Sequence, residues 1–265
     1  NKRWIHLNID NIGYSDCDFN KKIVFDRDVH NGLNRIHTIS MQNCNVYERF
    51  DLDFSAVNLE PCDIKMLHLS YSTFHKKVEI KQCKIINHSF INTRFKALAD
   101  FFKTEFYSNF FYKTTFEDIS VFTESVFHKD VNFKYTTFEK LALFRKTIFE
   151  KTVNFEDSIF KEEANFLDMD ANMANRETAR IIKNSFEQQN NIIEANRFYA
   201  REMEEQEKEL EIKIKNKEER DLKTFVDYII FKFHSISSNH SQDPISPIIW
   251  IFSISFFYLT YIQIN

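Results

Sequence analysis

A phenylalanine recurs every five or six residues through the middle of the chain. The positions are Phe90, Phe95, Phe101, Phe106, Phe111, Phe116, Phe122, Phe127, Phe133, Phe138, Phe144, Phe149, Phe155, Phe160 and Phe166. A β-strand returns a side chain to the same face every 2 residues and an α-helix about every 3.6, so neither fits this step. A helical supercoil with an 11-residue repeat would need apolar residues three and four apart. The spacing instead predicts a mainly β solenoid, with one short step per phenylalanine.

A second pattern lies two residues before each phenylalanine, where the side chain is usually small. These positions hold Thr93, Ala99, Thr104, Asn109, Thr114, Ser120, Ser125, Val131, Thr136, Ala142, Thr147, Val153, Ser158 and Ala164. Residues two apart on a strand share a face, so each ring and its small neighbour should both point inward. Together they can fill a narrow interior at the density that protein cores require.

Three units make the repeat explicit: Val131-Asn132-Phe133, Val153-Asn154-Phe155 and Ala164-Asn165-Phe166. They resemble the pentapeptide-repeat family, whose unit is a small residue, Asp or Asn, a central Leu or Phe, and two variable residues. The resemblance implies a right-handed quadrilateral β-helix with four units per coil. This chain departs from the family in using phenylalanine almost everywhere and in adding a sixth residue to alternate units. The corners are therefore expected to differ from the usual square.

The repeat extends toward the N-terminus with aliphatic residues at the central position. Phe54, Leu59, Ile64, Leu69, Phe74, Ile80 and Ile85 continue the spacing. Before them the pattern is ragged, and residues 47–53 break its phase, which predicts a bulge or small loop there. We assign residues 1–53 to irregular N-terminal coils of the solenoid and residues 54–169 to its regular part.

Each of the four cysteines stands two residues before a central position of the repeat. They are Cys17, Cys44, Cys62 and Cys83. Their gaps of 27, 18 and 21 residues contain no Cys-x2-Cys pair of the kind that binds zinc. We interpret them as small, reduced core side chains, which suits a cytosolic location. Cys62 and Cys83 should lie on adjacent coils.

No catalytic motif is found in the chain. It lacks Gly-x-Ser-x-Gly, a Walker loop and His-Glu-x-x-His, and its two glycines leave little for a phosphate-binding loop. His88, at an inward position two before Phe90, is interpreted as a core residue. The sequence therefore predicts that the protein is not an enzyme and has no catalytic, cofactor-binding or metal site.

The period changes after Phe166. Residues 170–220 carry helical patterns, with a turn predicted at Asn190-Asn191. We interpret this region as a helical hairpin that caps the solenoid, because an open last coil exposes core and strand edges. A coiled-coil dimerisation arm, and hence a homo-oligomer, is the alternative.

Residues 221–240 form an amphipathic helix and linker, and residues 241–265 a transmembrane segment that we expect to be truncated. The apolar stripe of the first comprises Leu222, Phe225, Val226, Ile229, Ile230, Phe233 and Ile236. Residues 244–265 contain no charged side chain, and about 20 apolar residues cross a bilayer. Trp250, Tyr258 and Tyr261 are candidate interfacial anchors. Together the two segments resemble an interfacial helix leading into a membrane span. The alternative for the second segment is a buried helix of a larger globular domain.

Charge bears on the choice of partner. Residues 80–166 contain 13 Lys and Arg against 12 Asp and Glu, a net charge of +1. This is neither an acidic imitation of DNA nor a basic footprint for nucleic acid, so we expect no nucleic-acid partner.

The favoured function is a non-catalytic scaffold, attached to a protein partner or membrane module at the cell membrane with its solenoid on the cytoplasmic side. One version is the regulatory domain of a channel-like protein. The alternative, implied by the family resemblance, is a soluble DNA mimic that binds DNA gyrase.

Overall fold

The computed structural model describes residues 11–24, 35–53, 62–108, 110–216, 221–240 and 242–264. The chain divides into two compact units, Asn1–Ala174 and Asn175–Asn265. Within the described residues the first unit is built of short parallel strands and the second of helices. The predicted repeat positions Phe54 and Leu59 lie outside the described residues.

The strands of the first unit form three parallel sheets. In chain order, the first sheet contains β1 (Asn11–Ser15), β4 (Arg35–Gln42), β7 (Cys62–His68), β10 (Cys83–Ser89), β13 (Glu105–Phe106), β16 (Val126–Phe127), β17 (Val131–Asn132), β20 (Ile148–Asn154) and β23 (Asp170–Met173). The second contains β2 (Asp18–Phe19), β5 (Asn45–Val46), β8 (Thr73–Phe74), β11 (Arg94–Phe95), β14 (Thr115–Phe116), β18 (Thr137–Phe138) and β21 (Ile159–Phe160). The third contains β3 (Ile23–Val24), β6 (Phe50–Asp53), β9 (Val78–Lys81), β12 (Ala99–Asp100), β15 (Ser120–Val121), β19 (Ala142–Leu143) and β22 (Ala164–Asn165).

Pairing between strands confirms that four steps of the repeat make one coil. Phe106 pairs with Phe127, 21 residues later, and Phe127 pairs with Phe149, 22 residues later. The same register joins Cys62 to Cys83 as Cα partners, as predicted. All of these pairs are parallel, so the chain climbs by one strand with every coil. This is a parallel β-solenoid.

Because four steps of the repeat make one coil, the phenylalanines form four inward columns. Phe116, Phe138 and Phe160 stack with ring centroids 5.2 and 4.5 Å apart, and Phe122, Phe144 and Phe166 with centroids 4.9 and 5.3 Å apart. Both predicted columns are thus confirmed, at about the spacing of adjacent strands. The other two columns are Phe106, Phe127 and Phe149, and Phe111, Phe133 and Phe155.

Two corners of each coil are tight turns in which a residue other than glycine has positive φ. These residues are Tyr71, Gln82, Asn92, Lys103, Lys113, Glu124, Tyr135, Lys146, Asp157 and Asp168, with φ between 52° and 59°. Each lies two positions after a central residue. The next N–H then bonds back to the central carbonyl, as from Thr104 to Phe101 at 3.2 Å. These turns lie in five-residue steps, although the five-residue step from Ile85 to Phe90 contains none. The six-residue step from Phe116 to Phe122 also has no residue with positive φ.

Buried hydroxyls tie these corners to the preceding coil. The hydroxyls of Thr93, Thr104, Ser125, Thr136 and Thr147 donate to the carbonyls of Leu69, Ile80, Phe101, Phe111 and Phe122, over 2.7–2.8 Å. At these corners the small hydroxyl residue two before the ring therefore has a second role beside packing. It satisfies a buried carbonyl that has room for two hydrogen bonds.

One prediction for the N-terminal coils is wrong. Residues 47–53 were expected to form a bulge or small loop, but Phe50–Asp53 is a strand that pairs in register with β9. Leu52 follows Val46 by six residues and is fully buried. The repeat therefore continues in phase, with Phe50 taking the position that is small in later coils.

The second unit contains four helices among its described residues. They are α1 (Arg176–Gln188), α2 (Ile192–Lys215), α3 (Leu222–Ser238) and α4 (Ile245–Ile264). The predicted turn at Asn190-Asn191 is confirmed, since Asn190 has φ 57° and the side chain of Asn191 accepts from the N–H of Glu194. Residues 170–173, assigned to the hairpin from sequence, instead form strand β23.

Helices α1 and α2 form an antiparallel hairpin. Lys183 pairs with Glu202 at 2.9 Å, and the rings of Phe186 and Phe198 stack with centroids 5.5 Å apart. The hairpin is thus present, and its predicted role as a cap stays a prediction.

Candidate interaction surfaces

Ion pairs between successive coils run along the outside of the solenoid. Lys134 Nζ lies 2.9 Å from Glu156, and Lys161 Nζ lies 2.6 Å from Glu139. Further coil-to-coil pairs are Arg94–Glu117, Lys103–Glu124 and Lys140–Glu162. Because these carboxylates face a cation one coil away, they do not build an acidic stripe. Exposed pairs of this kind add little stability, so their main effect is to balance the surface charge.

A denser ion cluster lies on the third sheet, where the outward positions of three successive coils are acidic. Asp51, Glu79 and Asp100 are neighbours in register. Glu79 is only 2% exposed and receives Lys77 and Lys81, each at 2.9 Å, as well as Arg49. Burial opposes its ionisation, but the hydrogen bonds from the two lysines outweigh this and hold the pKa of Glu79 below its usual value.

Asp100, at the end of this column, behaves in the opposite way. Burial raises the pKa of Asp100, and a hydrogen bond from the N–H of Phe102 only partly offsets it. The cluster as a whole is a network of ion pairs across coils. Its carboxylates are occupied by cations of the same chain, so we assign it a structural role.

His88 lies in the core, as the sequence predicted. It is 2% exposed and contacts the rings of Phe90, Phe106 and Phe111 at centroid distances of 4.9–5.1 Å. Its Nδ1 lies 2.7 Å from the hydroxyl of Ser108. Burial, with a smaller effect of His68, lowers the pKa of His88 to about 3. A neutral imidazole beside a hydroxyl suggests a nucleophile and base, but here the ring is enclosed by phenylalanines.

The cysteines bear on whether the solenoid holds a metal or a reactive thiol. Cys17, Cys44 and Cys83 are free cysteines. Cys44 and Cys83 are buried, whereas Cys17 is only half-buried, so it departs from the predicted core position. The side chain of Cys62 lies outside the described residues. Among described residues no group of three His, Cys, Asp or Glu side chains is placed to hold a metal ion.

A cluster of aromatic rings and lysines covers one corner of the solenoid. The rings of Tyr112 and Tyr135 meet edge to face, with centroids 5.6 Å apart. Lys113 Nζ lies 5.4 Å from the centre of the Tyr112 ring, and Lys134 Nζ lies 5.1 Å from that of Tyr135. Because Lys134 also pairs with Glu156, the charge of this cluster is partly balanced.

In the helical unit, large apolar side chains are exposed on α3 and α4. The entire predicted stripe of α3 is exposed, from 40% at Phe225 to 80% at Leu222. Helix α4 is exposed around its circumference, and residues Ile245–Gln263 have a mean hydropathy of 1.7 with none of that stretch buried. It is the one helix of the described residues with the length and composition of a membrane span.

Comparison with known proteins identifies the repeat. The family model described as pentapeptide repeats (9 copies) matches residues 111–159. Residues 111–159 of the solenoid are thus similar to pentapeptide repeats. Neither the curated proteins nor the solved structures that were compared gave a match. The matched residues are the coils in which the phenylalanine columns are most regular.

Asp or Asn directly precedes the central residue at four of the tight corners, namely Asp100, Asn132, Asn154 and Asn165. The side-chain oxygens of Asn132, Asn154 and Asn165 each accept from the backbone N–H two residues later, at 2.8–3.0 Å. Such Asx turns favour a change of chain direction. The side chain thus guides the chain from the strand into the corner.

Two features of the solenoid surface were not predicted from the sequence. The ion pairs join residues about 22 apart, and the Tyr112–Tyr135 contact joins residues 23 apart. Once the coil length is known, this spacing is the signal that finds them. The sequence predicts no catalytic, cofactor-binding or metal residue, so no predicted site residue has a place in this structure.

Proposed function

We propose that this pentapeptide-repeat protein is a non-catalytic scaffold held at a membrane by helix α4. The observation that carries the proposal is the exposure of α4. A helix of 20 residues without a charged side chain is unfavourable in water, because its apolar surface stays hydrated. A bilayer of about 30 Å hydrocarbon thickness fits that length. Trp250 near its start and Tyr258 and Tyr261 near its end suit the two interfaces.

The solenoid suits a scaffold because it is rigid and repetitive. Stacked coils bury a continuous aromatic core and present flat outer faces, and repeat proteins commonly use such faces for binding. We infer that its coils wind to the right, since parallel strands joined by crossovers nearly always do so. Partners are proposed to be a protein or membrane module, and the regulatory domain of a channel-like protein is the narrowest version of this function.

The sequence around α4 supports a cytoplasmic solenoid. Lysines and arginine on its N-terminal side are Lys215, Lys217, Arg220, Lys223 and Lys232, and positively charged flanks stay in the cytoplasm. Protease treatment of sealed vesicles tests this side directly. We expect the solenoid to be digested in inside-out vesicles and protected in right-side-out ones; the reverse pattern would overturn the orientation.

Cell fractionation of the chain and of a truncation tests the tether. The native chain should sediment with membranes, and deletion of residues 221–265 should release a folded solenoid into the soluble fraction, since the repeats close their core without them. If the native chain stays soluble at physiological salt, the proposal fails. Residues 244–265 would then be better described as a buried helix of a larger domain.

The alternative, a gyrase-binding DNA mimic, makes a different demand on the surface. It needs a continuous acidic face, whereas carboxylates such as Glu139 and Glu156 pair with lysines on neighbouring coils. This pairing supports the scaffold over the mimic. Inhibition of gyrase supercoiling by the truncated solenoid would favour the mimic instead.

A further inference from the structure

Helix α3 has two unlike faces. One face carries the seven exposed apolar residues, with Ile230 at 58% and Phe233 at 68% exposure. The opposite face, which includes Thr224, Tyr228 and Phe231, is half-buried. At 100° per residue these two sets project to opposite sides of the helix. The apolar stripe is therefore the face that no described residue covers.

Contacts with α2 fix the rotation of α3 about its axis. Glu207 on α2 accepts from Lys232 Nζ at 2.7 Å, and its other oxygen lies 3.4 Å from Nε2 of the buried His240. Just beyond, the side chain of Gln242 donates to the carbonyl of Asn196 at 3.1 Å. These contacts hold α3 along α2 with the stripe directed away from it.

We propose that this exposed stripe of α3 lies in the headgroup–acyl boundary of a bilayer, with α2 on the aqueous side of α3. The inference rests on the proposed tether by α4. It adds a second lipid-contacting surface and sets which face of α3 enters the membrane. An amphipathic helix of this kind buries its apolar face about 5–10 Å below the headgroups.

The continuity of the two helices favours lipid over a second copy of the chain. Only residues 239–244 separate α3 from α4, so a spanning α4 brings the end of α3 to the membrane surface. Lys223 projects at one border of the stripe, where lysine can reach headgroups, whereas Lys232 at the other border is paired with Glu207. The charges of α3 and its cap balance, since Asp221 and Asp227 oppose the two lysines. Binding should therefore depend on apolar burial more than on anionic lipid.

Two phenylalanines two residues apart allow a matched test in the full chain. In a background of W4F and W250F, F233W places tryptophan on the stripe and F231W places it on the face toward α2. Each variant is reconstituted in phosphatidylcholine vesicles that carry bromine at a shallow or a deep acyl position. A third variant, W4F alone, keeps Trp250 and reports on α4.

The expected result is shallow-bromine quenching of F233W that is about twofold or more stronger than that of F231W. Replacing part of the phosphatidylcholine with phosphatidylserine should change the quenching of F233W less than about twofold. Equal, weak quenching of both variants while Trp250 is quenched would overturn this inference and leave the tether standing. A lack of Trp250 quenching would overturn the tether itself. If bromine does not quench the fluorescence of F233W, and the molecular mass of the reconstituted protein rises with protein concentration, the stripe would be covered by a second copy of the chain. That result would contradict the proposal.

Discussion

The hydroxyl of Thr136 donates a hydrogen bond of 2.7 Å to the carbonyl of Phe111, 25 residues earlier on the preceding coil. The N–H of Thr114 donates to the same carbonyl at 3.2 Å. A buried carbonyl thus receives one bond from its own turn and one from the next coil. The same arrangement recurs at successive corners, so polar groups as well as phenylalanine rings fix the stacking of the coils.

Thr136→Val should destabilise the solenoid by about 1–2 kcal/mol. Valine keeps the shape of threonine, but it leaves the Phe111 carbonyl with one hydrogen bond fewer in the core. Thr137→Val is the matched control, because Thr137 points outward on the adjacent strand position and should change stability by less than about 0.5 kcal/mol. Denaturant unfolding of the soluble truncation measures both. Equal effects would show that the inward hydroxyl has no special role.

Phe138→Ala should cost about 3–5 kcal/mol, the usual range for truncating a buried aromatic ring. Its ring is fully buried and stacks between Phe116 and Phe160. Phe110→Ala serves as control: because Phe110 is 46% exposed, its replacement should reduce the free energy of unfolding far less. A small loss of unfolding free energy for Phe138→Ala would argue against the continuous aromatic column.

His88 should make the solenoid less stable in mild acid. Its pKa is lowered from 6.5 to about 3 by burial, so the folded state holds the ring neutral. Its contribution to stability is complete above about pH 6.5 and is lost as the pH falls toward 3. The linkage relation gives a loss of about 2–3 kcal/mol between pH 7 and pH 4.5.

His88→Leu should remove this part of the pH dependence while filling the same core position. The measurement is the free energy of unfolding of the native and variant solenoids at both pH values. The free energy of unfolding of the native protein should fall relative to that of the variant as the pH falls from 7 to 4.5. A difference that stays constant with pH would contradict a buried neutral histidine.

Thiol labelling should follow burial. In variants that each retain one cysteine, Cys17 should react well before Cys83, because Cys17 is half-buried and Cys83 is fully buried. Burial also raises the pKa of Cys44, which lowers its thiolate fraction and slows it further. Unfolding in denaturant should make all three react at similar rates. Fast labelling of native Cys83 would contradict its place in the core.

Periodicity was enough to predict the coil, because large rings five or six residues apart fit neither the period of a helix nor that of a flat strand. The alignment of Phe138 with Phe160 follows from it directly. The tight corners were not predictable in the same way. Positive φ is usually read from glycine, but Lys113, Glu124 and Tyr135 adopt it here, and tertiary stacking overrides their local preference.

For the helical unit, the sequence predicted the stripe of α3 and not its surroundings. An apolar stripe shows that a helix has a face to bury, without identifying what covers it. Ion pairs such as Glu207–Lys232 join residues 25 apart on two helices. Their spacing depends on the length of the intervening loop, so the exposed side of α3 emerges only from the packed structure.

Resistance to alkaline carbonate extraction tests the membrane tether most directly. The native chain should remain in the membrane pellet, as a spanning helix does. Ile254→Arg, in the middle of α4, should release most of the protein, since a charge at the bilayer centre costs at least about 2.5–3.5 kcal/mol. Ile193→Arg, at an equally apolar but 82% exposed residue of α2, should leave it in the pellet. Release of the native chain by carbonate, or equal behaviour of the two variants, would contradict a spanning α4.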